Sequence, residues 1–176
     1  MHVVLDSLGP IWPGRLTLAG VNLGDVWWHS QVKGWGVSTG LVPFHKLSQW
    51  LTYSLIEPLQ DAGLRVVELE ALTGLAEYRN GGLFLDLGVL RPRQATLLDR
   101  ALTPDAEAVV EWRALTVALL DVLAERVRHI LGCTAATLLL VKILEGGTWR
   151  AGREIAKTRR ADGRPPLHIA SDGTVF

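Results

Sequence analysis

A mainly α-helical fold with a few short strands is what this chain of 176 residues predicts. Apolar residues recur at three- and four-residue spacing near residues 43–62 and 103–131, and that period places them on helix faces. Helix signals bracket both stretches: Pro43 before and Gly63 after the first, Thr103-Pro104-Asp105 before and Gly132 after the second. Alternating or β-branched runs are short and broken by glycine, which leaves room only for small strands. Hydrophobic residues make up 48% and charged residues 20%, the composition of a globular chain with a sizeable core. The length suits one domain, residues 1–176.

Taken in order, Met1 to Pro13 reads as the end of a helix broken at Gly9-Pro10. It begins abruptly, without a capping residue, as if an upstream partner were missing. Arg15 to Asp25 mixes β-branched residues with Gly and Asn and fits a hairpin or ordered loop. Trp12, Trp27, Trp28 and Trp35 are core anchors or stacking faces. Lys33 to Gly40 is a loop. The helix from about Pro43 to Ala62 carries an apolar stripe of Phe44, Leu47, Leu51 and Leu55, with Pro58 bending it or ending it early. Lys46 and Gln49 lie one turn apart on another side; they form a solvated polar face or converge on one ligand.

Arg65 to Leu69 fits a short strand, and a helix is expected over about Leu83–Leu90. Arg91 to Leu102 is a loop with a turn of helix. The helix from Thr103 to Ile130 or Leu131 is apolar on most sides, the pattern of a helix buried in mid-domain. Thr134 caps a further helix that Gly146-Gly147 end, and Thr148 caps a basic one bearing Arg150, Arg153, Lys157, Arg159 and Arg160. That basic helix is read as a solvated face. The tail, Pro165 to Phe176, reads as a strand and turn docked on the core.

Eighteen basic and eighteen acidic residues cancel, so no basic field marks a nucleic-acid protein. An apolar run such as Leu138 to Val141, unsurpassed in length here, is far short of a membrane span, and the opening residues lack a signal peptide's leader. A cytoplasmic protein is expected. Cys133 is alone and reads as a small buried thiol, and the five histidines show no ligand spacing, so neither metal nor cofactor is expected. Glu68-Leu69-Glu70, before Thr73-Gly74, looks like a ribose-phosphate loop, but Leu69 separates acids that such a loop keeps adjacent.

The stretch with most chemistry is Thr73 to Gly88. It sets Glu77, Tyr78 and Arg79 between Leu75-Ala76 and Leu83-Phe84-Leu85, and charges with such neighbours must be paired or used. One outcome is a structural Glu77–Arg79 ion pair beside a turn at Asn80-Gly81-Gly82. The other is a carboxylate that stabilises positive charge on a sugar or directs a water. Glu111 and Asp121 are candidates to join it, since two separated carboxylates with aromatic walls are common equipment for glycosyl cleavage.

Five blocks carry a resemblance: residues 41–59, 72–83, 111–117, 144–149 and 171–176. In this order they resemble the uracil catabolism protein four family, also called the Urg3 type, whose members are roughly twice this length. The chain resembles their C-terminal half. The resemblance implies a place in pyrimidine breakdown; some members carry a phosphoribosyltransferase label. Phe44 to Gln49, Ala76 to Arg79 and Glu111 to Arg113 are also similar to blocks of the queuosine salvage nucleosidases. Those are helical, DNA-glycosylase-like proteins that cut an N-glycosidic bond with an aspartate, and Glu77 stands at the matching position. These likenesses imply a nucleoside- or nucleotide-like small substrate and hydrolysis of an N-ribosyl bond in a uracil-derived intermediate. Glu77 would be catalytic; Lys46, Gln49, Tyr78, Arg79, Glu111 and Arg113 would hold substrate or support the pocket. The alternative is a non-catalytic binding half, completed by a homodimer partner or by a missing N-terminal half.

Overall fold

The computed structural model describes residues 1–170, and the expectation for the last part of the tail lies outside them. Helix α1 is His2–Leu8, followed by a 3-10 turn over Gly9–Ile11. Strands β1 (Thr17–Leu18) and β2 (Val21–Asn22) form an antiparallel hairpin. A second antiparallel pair joins β3 (Val26–Trp28) to β4 (Leu41–Pro43), with Trp27 opposite Val42. Then come α2 (Lys46–Asp61), α3 (Tyr78–Asp86), α4 (Glu107–Leu131), α5 (Leu140–Ile143) and α6 (Arg150–Arg159). The fold is mainly α, as the periodicity predicts.

Several boundaries differ from expectation. Pro43 ends β4, and α2 starts three residues later, after His45 in the left-handed region at φ 47°. Pro58 lies inside α2 without ending it; Gly63, at φ 82°, follows the close of the helix. Arg65 to Leu69 forms no strand; a 3-10 turn over Leu69–Ala71 follows a coil. Helix α3 begins five residues before the expected start, because the Glu77 side chain caps it. Ala106, rather than Thr103, is the N-cap of α4, and Gly132 closes that helix at φ 65°. Gly146-Gly147 end nothing: a π-helical segment over Leu144–Trp149 carries α5 directly into α6, and Thr148 donates to the Asn80 side chain instead of capping. Cys133 is half-buried rather than buried.

Helix α4 contributes to each of three core clusters among the described residues. Leu120 packs with Tyr53, Ile56, Leu72, Phe84 and Leu144; Val110 with Trp27, Phe44 and Ala76; Val109 and Trp112 with Leu102 and Leu167. Its burial is one-sided, however, and Leu115, Val122, Ile130 and Leu131 stand exposed. Leu102 pairs in parallel with Ile169, which brings the described tail onto the core. No helix among the described residues is long and apolar enough to cross a membrane.

The apolar stripe expected of α2 is the less buried side. Leu47, Leu51 and Leu55 are half-buried, whereas Lys46, Ser48 and Gln49 are buried with Tyr53 and Ile56. The side of this helix that carries Lys46 and Gln49 is turned inward, so of the two outcomes the solvated face is not what the structure has.

Candidate functional site

The site is assembled where α2, α3 and α4 meet β3. Glu77, the N-cap of α3, is buried and directly follows Ala76, which packs with Trp27, Phe44 and Val110. Its Oε2 accepts the Arg79 backbone N–H at 2.8 Å and its Oε1 the Asn80 N–H at 2.5 Å. An extended backbone at Glu77 (φ −121°, ψ 159°) turns the carboxylate back onto these amides, which no intrahelical carbonyl can satisfy. Burial raises the Glu77 pKa, opposed by the two backbone hydrogen bonds and by the charges of Lys46 and Arg79. Each carboxylate oxygen keeps a second lone pair for a ligand or a water.

Lys46 is 7% exposed, and its ammonium has no hydrogen bond or ion pair among the described residues. Burial lowers its pKa and Arg113 lowers it further, while Glu77 and Asp25 act the other way. Gln49, one turn on, is 9% exposed, and its Oε1 is buried without a partner among the described residues. A buried amide oxygen left without a partner among the described residues is costly to fold unless something uses it, and the largely buried Lys46 stands one turn away.

Arg113 is fully buried and organises the site from behind. Its guanidinium grips Asp25 with two hydrogen bonds, 2.7 and 2.8 Å, its Nε donates to the Ala76 carbonyl at 3.3 Å, and its plane lies 4.1 Å from the Phe44 ring. Asp25 in turn accepts the Lys46 backbone N–H and the Trp27 indole N–H, while its carbonyl takes the amides of Phe44 and His45. Burial alone would raise the Asp25 pKa; the hydrogen bonds and charge of Arg113, with Lys46 N–H and Trp27, outweigh it and hold it below the ordinary value. Arg113 therefore ties together the residue before Glu77 and the start of the helix that carries Lys46.

Other expected members fall elsewhere. The Arg79 guanidinium makes no ion pair with Glu77 among the described residues; it lies 4.8 Å over the Tyr78 ring, so of the two outcomes the Glu77–Arg79 pair is absent there and a backbone cap stands in its place. Tyr78 is half-buried against the cluster of Leu102, Val109, Trp112 and Leu167. Glu111 is exposed on the outer side of α4, because Trp112 and Arg113 take the inward positions. Asp121 is exposed too and lines a separate groove with Tyr53, so neither acid joins Glu77. Asp25 was not among the sequence candidates. Its only signal is a carboxylate directly before Val26-Trp27, and partnering with Arg113 across 88 residues has no local signature. No group of three or more His, Cys, Asp and Glu that could hold a metal occurs among the described residues.

Comparison with known proteins adds relatives but no solved structure; none of the latter matches significantly. The chain is 46% identical over 170 residues to "Protein urg3" of Schizosaccharomyces pombe, covering 95% of this chain and 41% of that protein. It is 40% identical over 203 residues to "Uracil catabolism protein 4" of Lachancea kluyveri, covering 99% of this chain and 44% of that one. It thus spans less than half the length of these curated relatives. A family described as "Protein of unknown function (DUF1688)" matches residues 1–176. With the whole chain matched, this protein belongs to the DUF1688 family.

Proposed function

We propose that this chain acts in uracil catabolism and contributes the site that hydrolyses an N-ribosyl bond in a uracil-derived intermediate, a ribosylurea or its phosphate. The observation that carries the reading is the buried Glu77 carboxylate beside a buried Lys46 without an ion-pair partner among the described residues. The name of the L. kluyveri relative supplies the pathway. In this reaction water adds to the anomeric carbon, the carbon–nitrogen bond breaks, and the departing urea nitrogen takes up a proton. Positive charge grows on the sugar before water arrives, and a preorganised carboxylate in a low-polarity setting stabilises it. Glu77 fills that role and directs the water. Lys46 and Arg79 hold phosphate or sugar oxygens, the Gln49 amide meets the ureido group, and Tyr78 borders the base side. Arg113 with Asp25 fixes the spacing of Glu77 and Lys46; the exposed Glu111 has no part. The mainly helical fold is compatible with this chemistry.

A second reading is favoured by the chain's share of its relatives: a binding half that needs the rest of the longer protein for turnover. One experiment separates them. Ribosylurea and its 5-phosphate are incubated with this chain and with the full-length S. pombe relative, and free ribose is measured. Release by this chain, lost by two to four powers of ten in Glu77→Gln, roughly the worth of a positioned acid or base, supports catalysis here. Release by the longer protein alone, with this chain only binding the substrate, favours the second reading. No release from either substrate by either protein overturns the proposal.

A further inference from the structure

Away from the site, the coil of residues 66–73 and α4 enclose a groove of about 880 Å³ that includes neither Lys46, Gln49 nor Glu77. Its floor is apolar, with Ile56, Leu69, Val122, Leu139 and Leu140 among the lining. Val67 at 55% and Val122 at 67% exposure show that the groove opens to the surface. Along α4 the apolar lining continues: Leu115, Ala118 and Val122 are all exposed and follow one another at three- and four-residue spacing. Such a stripe is the imprint of a packed partner helix. A sequence reading of α4 as buried on most sides and a structure that leaves one side bare disagree in this place, and an absent neighbour reconciles them.

The rim is acidic. Glu68, Glu70 and Asp121 border the groove without an ion pair among the described residues, and Glu125 shares a bridge with Arg128 at 2.6 Å. A helix is about 10 Å across, so the groove volume accommodates roughly two turns of one. The basic helix of a second copy of this chain is the weaker candidate, because three of its five cations are already engaged within the chain. There Arg150 pairs with Glu154, Arg160 with Asp86, and Arg153 stacks on Trp149.

We propose that this groove and the α4 stripe receive an amphipathic helix, apolar on one face and flanked by Lys or Arg, from the part of the longer family chains that lies outside the matched region. The relatives supply the length: this chain covers 41% of one and 44% of the other. The mode is helix-in-groove recognition, with apolar anchors one turn apart and basic flanks meeting the acidic rim. It makes the groove an internal seam of the longer proteins, not a substrate site.

Hydroxyl-radical footprinting of this chain and of the full-length S. pombe relative tests it. Leu115 and Val122 oxidise readily here, and the aligned helix positions oxidise severalfold more slowly in the longer protein. Equal oxidation in both overturns the proposal. A charge placed in the seam gives a second readout. Val122→Asp shifts the melting temperature of this chain by less than about 2 °C, as for an exposed site. An Asp at the aligned position of the longer protein lowers its melting temperature well beyond that. An equally small shift in the longer protein overturns the seam, and so does protection that survives the substitution unchanged.

Discussion

Glu77 carries two duties that pull its chemistry in opposite directions. As a helix cap it must be a good acceptor, and as a buried acid it is held above its ordinary pKa of 4.5, mainly by burial. Lys46 is displaced the other way, below 10.5, again mainly by burial. If ionised Glu77 and charged Lys46 are both required, activity rises through the raised Glu77 pKa and falls through the lowered Lys46 pKa. The expected pH–rate profile is a bell narrower on both sides than free side chains would give. In Lys46→Arg, whose guanidinium does not lose its proton, the alkaline limb moves up or vanishes while the acid limb stays. A profile whose alkaline limb is unchanged in that variant removes Lys46 from the reaction. Arg113 allows a stability prediction of a different size. Arg113→Met leaves Asp25 buried and unpaired, which costs about 3–5 kcal/mol by analogy with broken buried pairs. Denaturant titration checks this, and a loss below about 1 kcal/mol, the value of a surface pair, contradicts the role assigned to Arg113.

At the scale of elements, the helices position the site through close approach. Gly152 of α6 lies where a Cβ would overlap the Arg79 carbonyl oxygen, so α3 and α6 cross backbone to backbone. Gly81 leaves room for Trp112 and Thr116 of α4, each 2.7 Å from where its Cβ would be. Gly152→Ala is expected to lose about 1–3 kcal/mol, since a carbonyl in a helix has little freedom to retreat. Gly146→Ala is the control: nothing lies within 4 Å of its Cβ, and a stability gain of about 0.5–1 kcal/mol follows from the lower entropy of the unfolded chain. Thermal melting of both variants gives opposite signs. The pair also explains what sequence reading could not see. Glycines at 146 and 147 look like a helix stop, yet the decisive term is a tertiary one, the Thr148 hydroxyl reaching the buried Asn80 side chain at 2.8 Å. Periodicity located α2 and α4 because apolar spacing is local. It misjudged which side of α2 is buried, because the first turn of that helix is held by Asp25, itself gripped by Arg113 of α4, and both are distant in sequence. Glu77 was legible as a charge between apolar neighbours; Asp25 was not, because its one strong partner lies on another element.

For the whole molecule, acid is the informative stress. The Asp25 pKa is depressed on folding, so its contribution is complete above about 3.8 and is lost as pH falls through the lower folded value. Glu77 has the reverse sign: its raised pKa favours the folded state at low pH and gives that up as pH rises through the folded value. Asp25→Asn should therefore flatten the acid limb of stability against pH, and an unaltered limb counts against the Asp25–Arg113 pair as a determinant. The same aspartate has a kinetic consequence. The amides of Phe44, His45 and Lys46 all end on Asp25, the first two on its carbonyl and the third on its carboxylate. They cannot trade their protons for solvent deuterons independently, because each release needs β3 and the start of α2 to part. In a hydrogen-exchange experiment these three amides form one cooperative opening unit, and the opening that frees them is the same one that would separate Lys46 from Glu77.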